Sequence, residues 1–282
     1  KSAETADEVG DLAAEAVGAS YGQPGGPVSL ILPADCAWNT TTRKGGRIVP
    51  VRPRSPDAGA VAEAVRRLKA AAKPVILLGS LACDETSLFE AGRIAAAGVR
   101  VLTDTFIARQ RRGAGTFLPD KMAYFGEAAL ADLEGVDLMV MVRTVVPVAF
   151  FAYPDKPSVL IPEGCEAITA AARDEDAVET LRAIAEALGA PAQPNVQPLV
   201  LPNAPAPGPL TAAACGVTIT RHMPEGAIIS DDSVTSGGPI AAATRFGRPH
   251  DHLGLTGGAI GQGIPAAIGA AVAGGGRKVL SL

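Results

Sequence analysis

The chain has 282 residues, 48% of them hydrophobic, with a formal net charge of -4. That is enough apolar chain for one or two domains with a buried core, which excludes intrinsic disorder. The basic residues are scattered apart from Arg109, Arg111 and Arg112, so the basic face of a nucleic-acid partner is missing.

Elements follow in chain order. Residues 7–21 read as a helix and the apolar run 27–32 as a strand. Residues 57–72 form an amphipathic helix, with Val61, Val65 and Leu68 on one face and Arg66, Arg67 and Lys69 outward. A fully apolar strand, 74–79, comes next, then a helix over 85–97, a strand over 100–103, a short helix over 127–133 and a buried strand over 137–142. A further strand is placed at 158–161 before a helix at 176–188. Uniformly apolar strands alternating with helices predict a parallel sheet covered on both faces, so this block reads as Rossmann-like. The Arg109, Arg111, Arg112 trio reads as a solvated loop or an internal ion-pair site. The longest apolar stretch, 136–151, is broken by Asp137, Arg143 and Pro147, short of the roughly 18 uncharged residues of a membrane span. Phe150, Phe151 and Tyr153 are read as core or interface packing, with a substrate pocket as the alternative.

From 190 to 209 proline recurs every few residues, which bars helix and sheet ladder and predicts an extended surface connector. His222 reads as a residue ending a helix. Beyond the connector, Ile228 and Ile229 form a short strand that delivers Ser230, Asp231, Asp232, Ser233, Thr235 and Ser236 to its end. The hydroxyls suit either a ligand at the end of an α/β strand or a helix N-cap. His250, Asp251 and His252 are read as a hydrogen-bonded loop, because two ligands at i and i+2 without a third partner are a weak metal site. Residues 277–282 read as a buried strand.

The densest signal is residues 253–273, in which a glycine-rich loop runs into a helix with Pro265 in its first turn. Glycine permits positive φ and close ligand approach, and the free N–H groups of a helix start suit an anion such as a phosphate-bearing cofactor. Residues 261–266 formally match G-x-G-x-x-A, but no hydrophobic strand precedes them and no acid lies about 20 positions on, as a nicotinamide site needs. A tight structural turn is the plainer alternative.

The run TGGAIGQGIPAAIGAAVA at 256–273, followed by residues 277–282, resembles the diphosphate-binding domain of thiamine-diphosphate enzymes of the acetolactate synthase, pyruvate oxidase and benzoylformate decarboxylase family. The GPV and P-x-D elements at residues 25–35 look like the end of that family's pyrimidine-binding domain, and the resemblance covers the whole chain. It implies an α/β fold in which a Rossmann-like central domain (54–190) is flanked by the last part of a pyrimidine domain (1–45) and, after the linker 191–209, by the first part of a diphosphate domain (210–282). It implies thiamine diphosphate as cofactor, held here by Thr235, Ser236, Gly257, Gly258, Ala259 and Ile260. Ile260 matches the bulky wedge beneath the cofactor, and Gly258 the carbonyl that accepts from its amino group.

By the same resemblance, the magnesium ligands lie beyond Leu282 and the pyrimidine-activating glutamate before Lys1, so the chain carries no catalytic or metal-binding residue of its own. The expectation is an incomplete chain, starting without methionine, of an enzyme that decarboxylates a 2-oxo acid and joins the product to a second carbonyl, acting as a homodimer or homotetramer. Cys36, Cys83, Cys165 and Cys215 form no C-x-x-C pair, which favours neither zinc nor disulfides and points to the cytoplasm. Some family members hold FAD or ADP in the central domain, and an empty one is favoured because Gly79, Ser80, Leu81, Ala82 and Cys83 lack a phosphate loop. The missing histidine near 150 disfavours benzoylformate decarboxylase itself. The alternative function is a non-catalytic nucleotide-binding or structural α/β module.

Overall fold

A computed structural model describes residues 1–48 and 51–282. These divide into two compact units, one of residues 1–55 with 173–176 and one of residues 56–172 with 177–282. The first holds helices α1 (Val9–Ser20) and α2 (Ala34–Trp38). The strand expected at 27–32 does not form. Ile31 alone bridges Ser2, and Ile31 and Leu32 stay exposed. An apolar run becomes a strand only when a neighbour supplies ladder partners, and here Lys1 and Ala3 supply one pair of hydrogen bonds.

In the second unit, Asp57 caps α3 (Ala58–Ala70) by accepting from Ala60 N at 2.8 Å. Val61, Ala64 and Leu68 of α3 are buried. Strand β1 (Pro74–Leu78) leads to α4 (Glu85–Ala96), whose first turn is held by the Asp84 carboxylate accepting from Thr86 N and Ser87 N. Next come β2 (Arg100–Thr103), β3 (Gln110–Arg112), β4 (Asp120–Lys121), α5 (Gly126–Asp132), β5 (Leu138–Val142), β6 (Glu166–Ala171) and α6 (Ala177–Ala187). After residues 190–209, which carry neither helix nor strand, follow α7 (Ala212–His222), β7 (Ile228–Ser230), α8 (Gly237–Thr244), β8 (His250–Leu253), α9 (Gly263–Ala273) and β9 (Val279–Ser281).

One sheet runs β4-β2-β1-β5-β6 with every pair parallel. Its order reverses between β1 and β5, the switch point at which open α/β sheets leave a crevice beyond their strand ends. Its core divides into two clusters. One gathers Ile76, Leu78, Val140 and Val142 with α3, α4 and α6. The other gathers Val75, Leu77, Met139 and Met141 with Ala129 and Leu133. This alternation along β1 and β5 is the period-2 signature of a strand covered on both faces.

The fifth strand is not where it was expected. Residues 158–161 make only an antiparallel bridge from Val159 to Val148, while Glu166–Ala171 pairs with β5. As the edge strand, β6 is half exposed along its first four residues, so it lacks the apolar run that marks a central strand.

The second sheet runs β3-β8-β7-β9, with β3 antiparallel to β8 and the remaining pairs parallel. Residues 250–252, expected as a loop, lie in a central strand. Pairing on both sides satisfies the backbone, ion pairs from Arg109 and Arg277 satisfy Asp251, and a hydrogen bond joins His252 to Asp231. Strand β9 also differs from expectation: it is an edge, with Leu280 and Ser281 exposed. Among the described residues no helix is long and apolar enough to cross a membrane.

Candidate functional site

Strands β7 and β8 are parallel neighbours, so the segments leaving their C-terminal ends emerge on the same edge. From β7 come Asp231 to Ser236, and from β8 comes the glycine loop 254–262. Asp232 joins them, its Oδ2 accepting from Gly261 N at 2.7 Å and Gly263 N at 3.2 Å. The loop is also stapled to itself by Gln262, whose Oε1 accepts from Thr256 Oγ1 at 3.1 Å and whose Nε2 donates to Gly254 O at 3.2 Å. Three of its glycines need positive φ: Gly257 at 60°, Gly258 at 68° and Gly261 at 99°. At Gly258 the neighbourhood is also tight, since a Cβ there would lie 2.8 Å from Phe150 Cζ.

This clamped backbone presents Ile260, 78% exposed, at its tip. A large apolar side chain held out on a hydrogen-bonded loop buries nothing in the fold, which is the arrangement a ligand-contacting wedge needs. The Gly258 carbonyl accepts from Ile260 N at 2.9 Å, and a carbonyl keeps a second lone pair for another donor. Gly257, Ala259, Thr235 and Ser236 are exposed. Ser236 occupies the N-cap position of α8, yet its side chain makes no capping bond, so the hydroxyl is not committed to the helix.

The acids between them are structural. Asp231 accepts from Ser233 Oγ, from Ser233 N at 3.0 Å and from His252 Nε2 at 3.1 Å. Burial works to raise its pKa, but the bonds from His252 and Ser233 outweigh it and hold the carboxyl well below the usual range. Sequence reasoning missed Asp232 as the residue that ties the two segments. The only signal for it was a carboxylate just after a short apolar strand.

The histidines of β8 alternate with Asp251 as strand residues do. Asp251 is buried and accepts from Arg109 Nε and Nη2, both at 3.2 Å, and from Arg277 Nη2 at 2.5 Å. The arginine trio divides: exposed Arg109 pairs with buried Asp251, Arg111 lies 3.8 Å from an exposed Glu85, and Arg112 donates to the backbone Ala241 O at 2.9 Å. Among the described residues no three His, Cys, Asp or Glu are grouped to hold a metal ion. All four cysteines are free.

Phe150, Phe151 and Tyr153 are half exposed rather than core, and they extend an aromatic cluster through Phe106, Tyr124 and Phe125. Beside it lies a cleft of about 390 Å³. The turn after β1 packs closely on the segment leaving β5: a Cβ at Gly79 would fall 2.1 Å from the Arg143 carbonyl oxygen.

No protein-family model matches the chain. It is 39% identical over 99% of its length to a Mycobacterium tuberculosis protein that bears the name acetolactate synthase large subunit IlvX, of which it covers 53%. Its fold matches a thiamin diphosphate-dependent enzyme from Mycobacterium smegmatis, with a TM-score of 0.68 at 21% identity over 99% of this chain and 58% of that one. It also matches a thiamine diphosphate-dependent 4-hydroxybenzoylformate decarboxylase of Rhodococcus jostii RHA1, with a TM-score of 0.68 at 19% identity, covering 99% of this chain and 56% of that one. A benzoylformate decarboxylase of Polynucleobacter necessarius gives a TM-score of 0.65 at 20% identity, with 99% and 56% covered. The chain spans a little over half the length of each relative. It is thus similar to an acetolactate synthase large subunit-like protein in sequence and has the mixed α/β fold of thiamine-diphosphate enzymes.

Proposed function

We propose that this chain forms one wall of a thiamine diphosphate site in an enzyme that decarboxylates a 2-oxo acid and, in the manner of acetolactate synthases, joins the product to a second carbonyl. One observation carries the reading: an exposed Ile260 on a glycine loop that Asp232 and Gln262 hold rigid. When bound, the cofactor supplies the carbon nucleophile and electron sink of the reaction. This chain's part is shape. Ile260 wedges beneath the cofactor, the Gly258 carbonyl accepts from its amino group, and Gly257 and Ala259 let the backbone come close. Thr235 and Ser236 offer hydroxyl donors to the diphosphate at the start of α8, where helix-end N–H groups favour an anion. The β7-β8 sheet would belong to the diphosphate domain (210–282) and the five-stranded sheet to the central domain (54–190).

Magnesium would be bound by residues outside this chain, and a homodimer or homotetramer in the cytoplasm would complete the site. One wall alone holds the cofactor weakly. Amide NMR shifts of the 282-residue chain, titrated with thiamine diphosphate and magnesium to millimolar concentration, test the assignment. Shifts centred on residues 235–236 and 257–260 are expected. Shifts centred elsewhere, or none, would overturn it.

A further inference from the structure

We infer that Asp232 is a positioning residue: its carboxylate is the anion at the start of α9, fixes the loop that carries Ile260, and leaves the start of α8 to the cofactor's diphosphate. The inference rests on reading residues 235–236 and 257–260 as a cofactor wall. It reverses one expectation from the sequence, in which the start of α9 was itself open to a phosphate.

That helix start is filled from within the chain. Asp232 Oδ2 accepts from Gly261 N at 2.7 Å and from Gly263 N at 3.2 Å, so two N–H groups converge on one oxygen as they would on a phosphate oxygen. Gln262, the N-cap residue of α9, makes no side-chain capping bond, because its amide is engaged with Thr256 and Gly254 across the loop. The first turn of α9 contains no acid of its own. Gly263 lets the carboxylate approach, since a Cβ there would fall 2.6 Å from Asp232 Cβ. The Asp232 backbone is fixed in turn, its N–H donating to Leu282 O at 3.0 Å. Oδ1 is buried, so the charge lies beneath the loop and not in solvent.

A phosphate cannot share those donors. Both N–H groups are occupied, and a second anion brought against the carboxylate would meet like-charge repulsion. The start of α8 differs. Asp231 lies close to it but accepts from Ser233 and His252. No acid lies in the first turn of α8, and Ser236 makes no capping bond. Gly238, the second helical residue, is exposed, and a Cβ placed there would meet nothing within 4 Å. Of the two helices that follow β7 and β8, α8 is therefore the one whose start has room for a diphosphate. Asp232 sets both the shape of the loop and the end of the sheet at which the cofactor's charge lies, without touching the cofactor.

The test reads amide NMR shifts of the 282-residue chain titrated with inorganic diphosphate alone and, separately, with thiamine diphosphate and magnesium. In the native chain inorganic diphosphate should shift residues 235–238 and leave 261–263 unmoved. Asp232→Ala frees the two N–H groups, so new shifts with inorganic diphosphate are expected at 261 and 263. Thiamine diphosphate should bind that variant at least tenfold more weakly, because the loop has lost two charge-assisted hydrogen bonds. Asp232→Asn keeps an oxygen acceptor in place. It should restore most of the cofactor affinity and keep inorganic diphosphate away from 261 and 263. Circular dichroism checks that the variants are folded.

Shifts at 261 and 263 in the native chain with inorganic diphosphate would overturn the inference, whether or not the variants fold. Unchanged cofactor affinity in folded Asp232→Ala would overturn it too, as would folded Asp232→Asn binding the cofactor no better than Asp232→Ala. Native cofactor shifts absent from 257–260 would instead refute the reading of the loop. Inorganic diphosphate reaching 261 and 263 only in Asp232→Ala would even then uphold Asp232 as the occupant of the helix start.

Discussion

His250 should make the stability of the second unit fall as pH drops from about 6.5 to about 4, the interval between its unfolded and folded pKa values. The ring is fully buried in β8, Nδ1–H donates to Arg248 O at 2.8 Å, and Nε2 is buried without a hydrogen-bond partner. Burial pushes its pKa from 6.5 down to about 4, against the opposing bond to Arg248 and with help from Arg112, His252 and Arg111. The folded pKa is depressed, so the unfolded chain binds the proton first. Stability is full above about 6.5 and lost below it, by up to about 1.4 kcal/mol per pH unit and about 3 kcal/mol in all. His252, half-buried, is shifted the same way. Asp104 is raised by burial and works in the opposite sense, its contribution being lost as pH rises. Urea unfolding followed by circular dichroism, at about pH 7 and about pH 4.5, should show the native chain losing roughly 2 to 3 kcal/mol more than His250→Asn. Asparagine keeps a donor toward Arg248 O but does not titrate. Imidazole NMR gives the direct check: a His250 midpoint near 6.5, or equal losses in the two proteins, would refute the argument.

Asp251→Ala should lower stability by about 2 to 4 kcal/mol, because it strips the acceptor from Arg109 and Arg277. The cost stays moderate since both arginines retain access to water, and urea unfolding at neutral pH measures it. Ile260→Ala should change stability by less than about 0.5 kcal/mol, as expected for a surface position, and should abolish the cofactor-induced NMR shifts. A large drop in melting temperature with those shifts intact would assign Ile260 to packing. Asp84→Ala removes the acceptor for Thr86 N and Ser87 N at the start of α4 and should cost about 1 to 2 kcal/mol by urea unfolding. A loss below a few tenths would show that the cap is dispensable.

Where side-chain periodicity and end signals agree, sequence alone determined the structure. Helix α3 follows its cap Asp57 and buries Val61 and Leu68 of the expected face, α4 (Glu85–Ala96) falls within a residue of its expected range, and β1 and β5 are the fully apolar runs. The glycine loop and the similarity to thiamine-diphosphate enzymes were legible for the same reason: positive φ and close approach leave a glycine signature that few other constraints produce. Tertiary structure decided what depends on a neighbour. The apolar run 27–32 lacks a strand to pair with, whereas the polar 250–252 lies in a central strand, because Arg109 and Arg277 arrive to neutralise Asp251 and Asp231 to hydrogen-bond His252. The site obeys the same rule. Asp232 meets Gly261, and Phe150 meets Gly258 across about a hundred residues, only after two sheets have formed. Local pattern records what a residue needs from its own backbone, and carries no record of which distant side chain will satisfy it.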